Sequence, residues 1–137
     1  MHESLILDTC AVIWLMNGVE LSDETVAAIN KAAQTNQLFV SPVTAWEIAL
    51  LARKGKIAMT MSALDWYQRV ISMPGVHELD LNASVMVGSV ELPGTLHKDP
   101  ADRMLIATAR SCNLSLVTRD EAILAYGQQG YVKTLAC

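Results

Sequence analysis

The sequence is poor in charge, in chain breakers and in cysteine. Only 18% of its 137 residues are charged, and it holds 7 Gly, 4 Pro and 3 Cys. So few Gly and Pro, beside 52% hydrophobic residues, argue against a disordered or fibrous chain. Cys10, Cys112 and Cys137 are odd in number and form no CxxC, so neither a disulfide framework nor a cysteine zinc site is suggested. Long apolar runs are missing too. The CAVIWLM stretch from Cys10 to Met16 falls far short of the roughly 18 residues a spanning helix needs. No basic region precedes an apolar stretch at the amino terminus, and Asp8 interrupts after three apolar residues, so a secretory signal is not expected. The expectation is a cytoplasmic protein without a membrane partner, forming a single domain over residues 1–137.

Cations are also scarce: 10 Lys+Arg stand against 14 Asp+Glu, a net charge of -4. Proteins that hold nucleic acid by phosphate neutralisation alone are usually basic, so an acidic chain with such a partner needs a local basic patch or a metal. The placement of the carboxylates therefore carries the functional information.

Short apolar runs alternate with helical patterns. Ser4 to Leu7 stops at Asp8, and TCAVIWLM has the length of a buried helix. Ser22 is placed to cap a helix through Ala33. Leu38 to Val40 reads as a strand, and a helix follows from about Val43 to Lys54, stopped by Gly55. Ser62 starts another helix, Val76 to Leu79 is a short strand, and Asn82 to Val90 a helix. Asp99-Pro100 opens a helix to about Cys112, Leu114 to Val117 is a strand, Glu121 to Tyr126 a helix, and Tyr131 to Val132 a last strand. The alternation predicts an α/β fold with a mainly parallel sheet covered on both faces.

In open α/β sheets function collects at the carboxyl ends of the strands. There stand Asp8, after the first strand, and Asp120, after LSLVTR; Asp102 lies in the first turn of the helix begun by HKDPADR, and Glu47 is the fourth acid. Each aspartate also has an ordinary structural use. Asp8 is placed to cap the helix that follows, and Asp99 before Pro100 has the form of an N-cap with proline at the first helical position. Asp102 then suits the helix dipole, and Thr118 with Glu121 matches a T-x-x-E capping box that leaves Asp120 in the first turn. Glu47 is harder to explain this way. In VTAWEIALLA (43–52) only Thr44 and Glu47 are polar, so the helix should be largely buried, with the carboxylate on an apolar strip. A charge there must be protonated, bound to metal, or paired with Arg or Lys.

If the four acids meet, each pair repels by up to about 4 kcal/mol at an effective dielectric near 20. Such a cluster persists only with cations in it. Oxygen donors without Cys or His at liganding spacing point to Mg2+ or Mn2+. That chemistry suits phosphodiester hydrolysis.

Four segments then resemble a known family: LILDTCAVIWL (5–15), VSPVTAWEIALLARKGKI (40–57), LHKDPADRMLIATAR (96–110) and LSLVTRDEAILAYG (114–127). In this order they resemble the PIN domain, and within it the VapC-type endoribonuclease toxins of bacterial toxin-antitoxin pairs. The resemblance implies a three-layer α/β sandwich with a central parallel sheet and an acidic pocket formed by Asp8, Glu47, Asp102 and Asp120. It also implies Mg2+ or Mn2+, RNA as substrate, homodimerisation, and an antitoxin that blocks the pocket. By this reading Asp8 and Asp102 bind the principal ion, while Asp120 and Glu47 help directly or through water. Thr118 orients a ligand or caps a helix, and Asp99 is a metal neighbour at best. Arg103 contacts RNA or pairs with Asp99, pairing being favoured. Cys10 stands where His or another residue often follows DT.

Arg53, Lys54 and Lys56 form the densest basic cluster, either an RNA contact or a solvated helix end. His97 reads as a loop residue, and Trp14, Trp46 and Trp66 as core or interface. A noncatalytic PIN-like domain binding a basic peptide in its acidic pocket is the alternative, although all four expected acids are present. A receiver domain or haloacid-type phosphatase would need an early acidic pair or DxDx[TV], and neither occurs. The high hydrophobic content would be absorbed by the doubly covered sheet and a dimer or antitoxin interface.

Overall fold

The computed structural model describes residues 3–137; residues 1 and 2, included in the expected domain, lie outside the described residues. The chain runs β1 (Leu5–Leu7), α1 (Thr9–Met16), α2 (Asp23–Gln34), β2 (Leu38–Val40), α3 (Pro42–Arg53), α4 (Ala63–Ile71) and β3 (Val76–Glu78). It continues through α5 (Ala83–Val90), α6 (Pro100–Cys112), β4 (Ser115–Thr118), α7 (Glu121–Gln128) and β5 (Lys133–Ala136). The sheet order is β3-β2-β1-β4-β5 and every pairing is parallel. No helix of the described residues is long and apolar enough to cross a membrane.

Strands this short gain little from their own ladders, and their stability comes from burial on both faces. Alternation sends Leu5 and Leu7 to one face and Ile6 to the other. Register then makes the layers continuous: Ile6 pairs with Leu116 and both face α6 and α7, while Leu7 pairs with Val117 and both face α1, α2 and α4. Leu5, Ile6, Leu116 and Val117 are each 0% exposed. Complete burial of such a side chain stabilises by about 1.5–3 kcal/mol. The α/β sandwich expected from the alternation is the fold observed.

Side chains cap the N-termini of all seven described helices: Asp8, Ser22, Ser41, Ser62, Asn82, Asp99 and Asp120 for α1 to α7 in order. This satisfies amide groups that the helix itself leaves unpaired. The capping box expected from Thr118 and Glu121 does not form. Asp120 is the cap and accepts from the Ile123 N–H at 2.9 Å, while Thr118 ends β4 and accepts from the Asp120 N–H at 3.1 Å. The last strand lies later than Tyr131 to Val132, at Lys133–Ala136, because register with Ser115–Thr118 decides it. Helix α3 begins at Pro42, capped by Ser41, and its outer side is open, with Trp46 47% exposed.

Gly75 sits between α4 and β3 with φ +82°, and a Cβ there would lie 2.0 Å from the Ala33 carbonyl oxygen. Gly18 shares the left-handed conformation, φ +68°, but faces open space. In denaturant titration Gly75→Ala is therefore expected to cost about 3 kcal/mol or more, and Gly18→Ala about 1 kcal/mol. Equal losses would contradict the steric account.

Candidate metal centre

The chain leaves β1 toward β2 on one side, and later returns to place β4 on the other side of β1. The gap at the carboxyl ends of β1 and β4 is a topological switch point, where the flanking helices diverge and a crevice forms. Asp8 follows β1 directly, its N–H donating to the Val117 carbonyl at 3.1 Å, and Asp120 lies two residues beyond β4. Glu47 comes from the second turn of α3, which follows β2, and Asp102 from the third position of α6. Four distant stretches of chain therefore deliver the four acids to one crevice.

Local rules explain how each carboxylate is held. Asp8 accepts from the Ala11 N–H through Oδ1 at 2.7 Å and also from the Thr118 hydroxyl, and Asp120 accepts from the Ile123 N–H through Oδ1, leaving its second oxygen toward the crevice. Asp99 caps α6 by accepting from the Asp102 N–H at 3.1 Å. It is exposed, as its cap-like position implied. Glu47 accepts from the Thr9 hydroxyl, and Thr9 Oγ1 lies 3.2 Å from that of buried Thr44. Because Thr9 donates to Glu47, Thr44 is left to donate to Thr9. Serine or asparagine caps a helix as well as aspartate does, and α2 to α5 use them. Capping alone thus does not account for aspartate at α1, α6 and α7.

The electrostatics match the crowding. Burial, then Asp99, Asp120, Glu47 and Asp8 in turn, push the Asp102 carboxyl up to about 7. Burial also raises Asp8, opposed by hydrogen bonds from the Thr118 hydroxyl and the Ala11 amide. Glu47 is raised chiefly by burial, with the Thr9 hydrogen bond opposing. Among the described residues no Lys or Arg lies within ion-pair distance of these four acids, which removes the paired-charge alternative for Glu47. Arg119 is occupied elsewhere: its guanidinium carbon sits 4.0 Å from the Trp14 ring centroid, and its Nε donates to the Cys137 carbonyl at 2.7 Å.

Arg103 does not pair with Asp99. Its Nε donates to the Ser89 carbonyl at 2.8 Å, Nη2 to Val90 at 3.3 Å and Nη1 to His97 at 3.4 Å. These are carbonyls at the end of α5 and in the loop before α6. A fork of donors on one side of α6 finds a ready set of unpaired acceptors there.

His97 and Thr9 were not expected in the site. His97 Nε2 lies 3.5 Å from Asp102 Oδ2 and 3.9 Å from Asp120 Oδ1. One ligand atom from each of His97, Asp102 and Asp120 falls within 4.8 Å of the others, a group able to hold a metal. The histidine two residues before the Asp99-Pro100 cap was a legible signal, as was threonine next to Asp8. Beside the acids, desolvation and the charges of Asp8, Glu47 and Asp102 push the Cys10 thiol up to about 11. The donors fit a hard divalent cation. A groove of about 310 Å³ adjoins them, lined by Trp46, Glu47, Leu50, Lys54, Asp99 and Pro100 among others.

The family model described as the PIN domain matches residues 5–128. The chain belongs to the PIN domain family. It is 28% identical over 123 residues to Ribonuclease VapC22 of Mycobacterium tuberculosis (strain ATCC 25618 / H37Rv), covering 90% of this chain and 92% of that protein. Its fold resembles that of VapBC2 from Rickettsia felis bound to a promoter DNA fragment (TM-score 0.69, 15% identity, 96% and 97% of the two chains). It also resembles DNA-bound VapBC from Salmonella typhimurium (TM-score 0.69, 17% identity, 98% of each chain).

Crowding in this PIN domain makes a prediction for the cation-free protein. Asp102 binds its proton more tightly folded than unfolded, so the folded state carries more protons between the ordinary value of 3.8 and about 7. Its contribution to stability is therefore full below pH 4 and lost as pH rises toward 7. Asp102→Asn should raise the cation-free stability at pH 7.5 by about 1–3 kcal/mol and flatten the decline over this interval. Denaturant titrations at several pH values in EDTA check it. A destabilised, equally pH-sensitive variant would contradict the crowding.

Proposed function

We propose that this PIN domain is a divalent-cation-dependent endoribonuclease that hydrolyses RNA phosphodiester bonds, and the toxin of a VapBC-type toxin-antitoxin pair. The observation that carries the proposal is the convergence of Asp8, Glu47, Asp102 and Asp120, without a cationic partner, at the switch point of a parallel sheet. The ribonuclease relative and the VapBC neighbours support the same reading.

In this proposal Asp8 and Asp102 hold Mg2+ or Mn2+ directly, and Asp120 and Glu47 contribute directly or through water. When bound, the ion supplies activation of water and neutralises charge on the phosphate and the leaving oxygen. Thr118 steadies Asp8 by hydrogen bonding, and the buried pair Thr44 and Thr9 steadies Glu47. Lys54 and Trp46 flank the adjoining groove, where a cation and an exposed ring offer contacts to an RNA phosphate and base. The protein works in the cytoplasm as a single domain, dimerises with a second copy, and is inhibited by a cognate antitoxin that covers the acids.

Asparagine preserves an N-cap while removing charge, so Asp8→Asn separates chemistry from folding. Purified protein is expected to cleave RNA with added Mg2+ or Mn2+, EDTA to stop it, and Asp8→Asn to lower the rate by about 100-fold or more with the thermal melt retained. Cleavage that survives both EDTA and the substitution would defeat the proposal.

A further inference from the structure

His97, Asp102 and Asp120 together have the look of a nitrogen-and-oxygen metal site, in which the imidazole would be a ligand. The other ring nitrogen argues otherwise. The Asp99 N–H points at His97 Nδ1 from 3.3 Å, so Nδ1 is the accepting nitrogen and the ring hydrogen resides on Nε2. A ligating imidazole has the reverse arrangement: one bare nitrogen on the metal and an N–H on the other, given to a carbonyl or carboxylate. Here the N–H faces the carboxylates.

We propose that His97 is a positioning residue, whose Nε2–H braces the Asp102 and Asp120 carboxylates without joining the cation. The two acids carry like charge, and a donor between them holds each at a set distance while its other oxygen stays available. Nε2 is 3.5 and 3.9 Å from them, longer than a hydrogen bond, so the brace would close only with the carboxylates drawn in, as a bound cation would require. The scaffold ties the brace to the acids it serves. Asp99 caps α6 through its side chain and orients the imidazole through its main-chain N–H. Arg103, one residue after Asp102, holds the His97 carbonyl. Every polar position of the His97–Arg103 segment other than Lys98 thus serves the placement of Asp102.

The inference rests on the cation site proposed above, and calorimetric titration of the full-length, cation-free protein with MgCl2 and with MnCl2 separates the two. His97→Ala is expected to weaken Mg2+ and Mn2+ binding by a common factor of about ten or more, the usual loss when a partner of a ligand is removed. His97→Gln, which keeps an N–H donor, should recover both to within about threefold of wild type. A loss much larger for Mn2+ than for Mg2+ would make His97 a ligand and overturn the brace, since imidazole favours the transition ion. Unchanged affinities in His97→Ala, or a glutamine variant as weak as alanine with its thermal melt intact, would also overturn it, leaving the nuclease assignment standing. Wild-type protein that binds neither ion would overturn both.

Discussion

Everything at the carboxyl edge of the sheet depends on how aspartate divides its two oxygens. One oxygen of Asp8 and one of Asp120 are engaged by helix amides, at 2.7 and 2.9 Å; Asp8 accepts from the Thr118 hydroxyl as well, and the second oxygen of Asp120 is left to the crevice. A cap therefore fixes direction as well as helix start, because the carboxylate cannot rotate away without breaking it. Helix N-termini also carry partial positive charge, which offsets some of the repulsion among acids that would otherwise drive the crevice apart. The result is a negative pocket whose rigidity comes from ordinary secondary-structure chemistry, and whose remaining charge suits a divalent ion.

The segment from His97 to Arg103 shows how densely that economy can be written. Proline at the first position of α6 lacks the amide that would have gone unpaired, the aspartate before it closes the first turn, and the second aspartate enters the crevice. Arginine then reaches back to three carbonyls at the end of α5 and in the connecting loop. A motif that resembles a cluster of charges is thus mostly scaffold, with one carboxylate facing the other acids.

Most of the architecture was legible in the chain. Three- and four-residue apolar runs between helical patterns specify buried parallel strands; the three aspartates could be picked from their places after strands and in a first turn, and Glu47 from the apolar helix around it. What escaped depends on side chains that meet only in three dimensions. Arg103 is adjacent to the acids in sequence but lies on another side of α6, so its pairing with Asp99 was misjudged. Thr118 was read as the cap of α7 with Asp120 in the first turn, but pairing carries β4 through Thr118 and leaves the cap to Asp120. His97 is the loop residue it was read as, and its place just before the Asp99-Pro100 cap hinted at Asp102 but not at Asp120, twenty-three residues on. The final strand was set too early since Tyr131 and Val132 are more apolar than Lys133–Ala136, and pairing with β4 outweighed that local preference.

The adjacency of β1 and β4 also bears on the order of events during synthesis. Leu7, next to Asp8, finds Val117 only after more than a hundred residues have followed it. Contacts so distant in sequence are slow to form, and a growing chain cannot form them until both strands have emerged. The crevice is consequently absent from the nascent chain. A nuclease built this way would be born inert beside the ribosome translating it, and would become competent only when nearly all of this domain is in place.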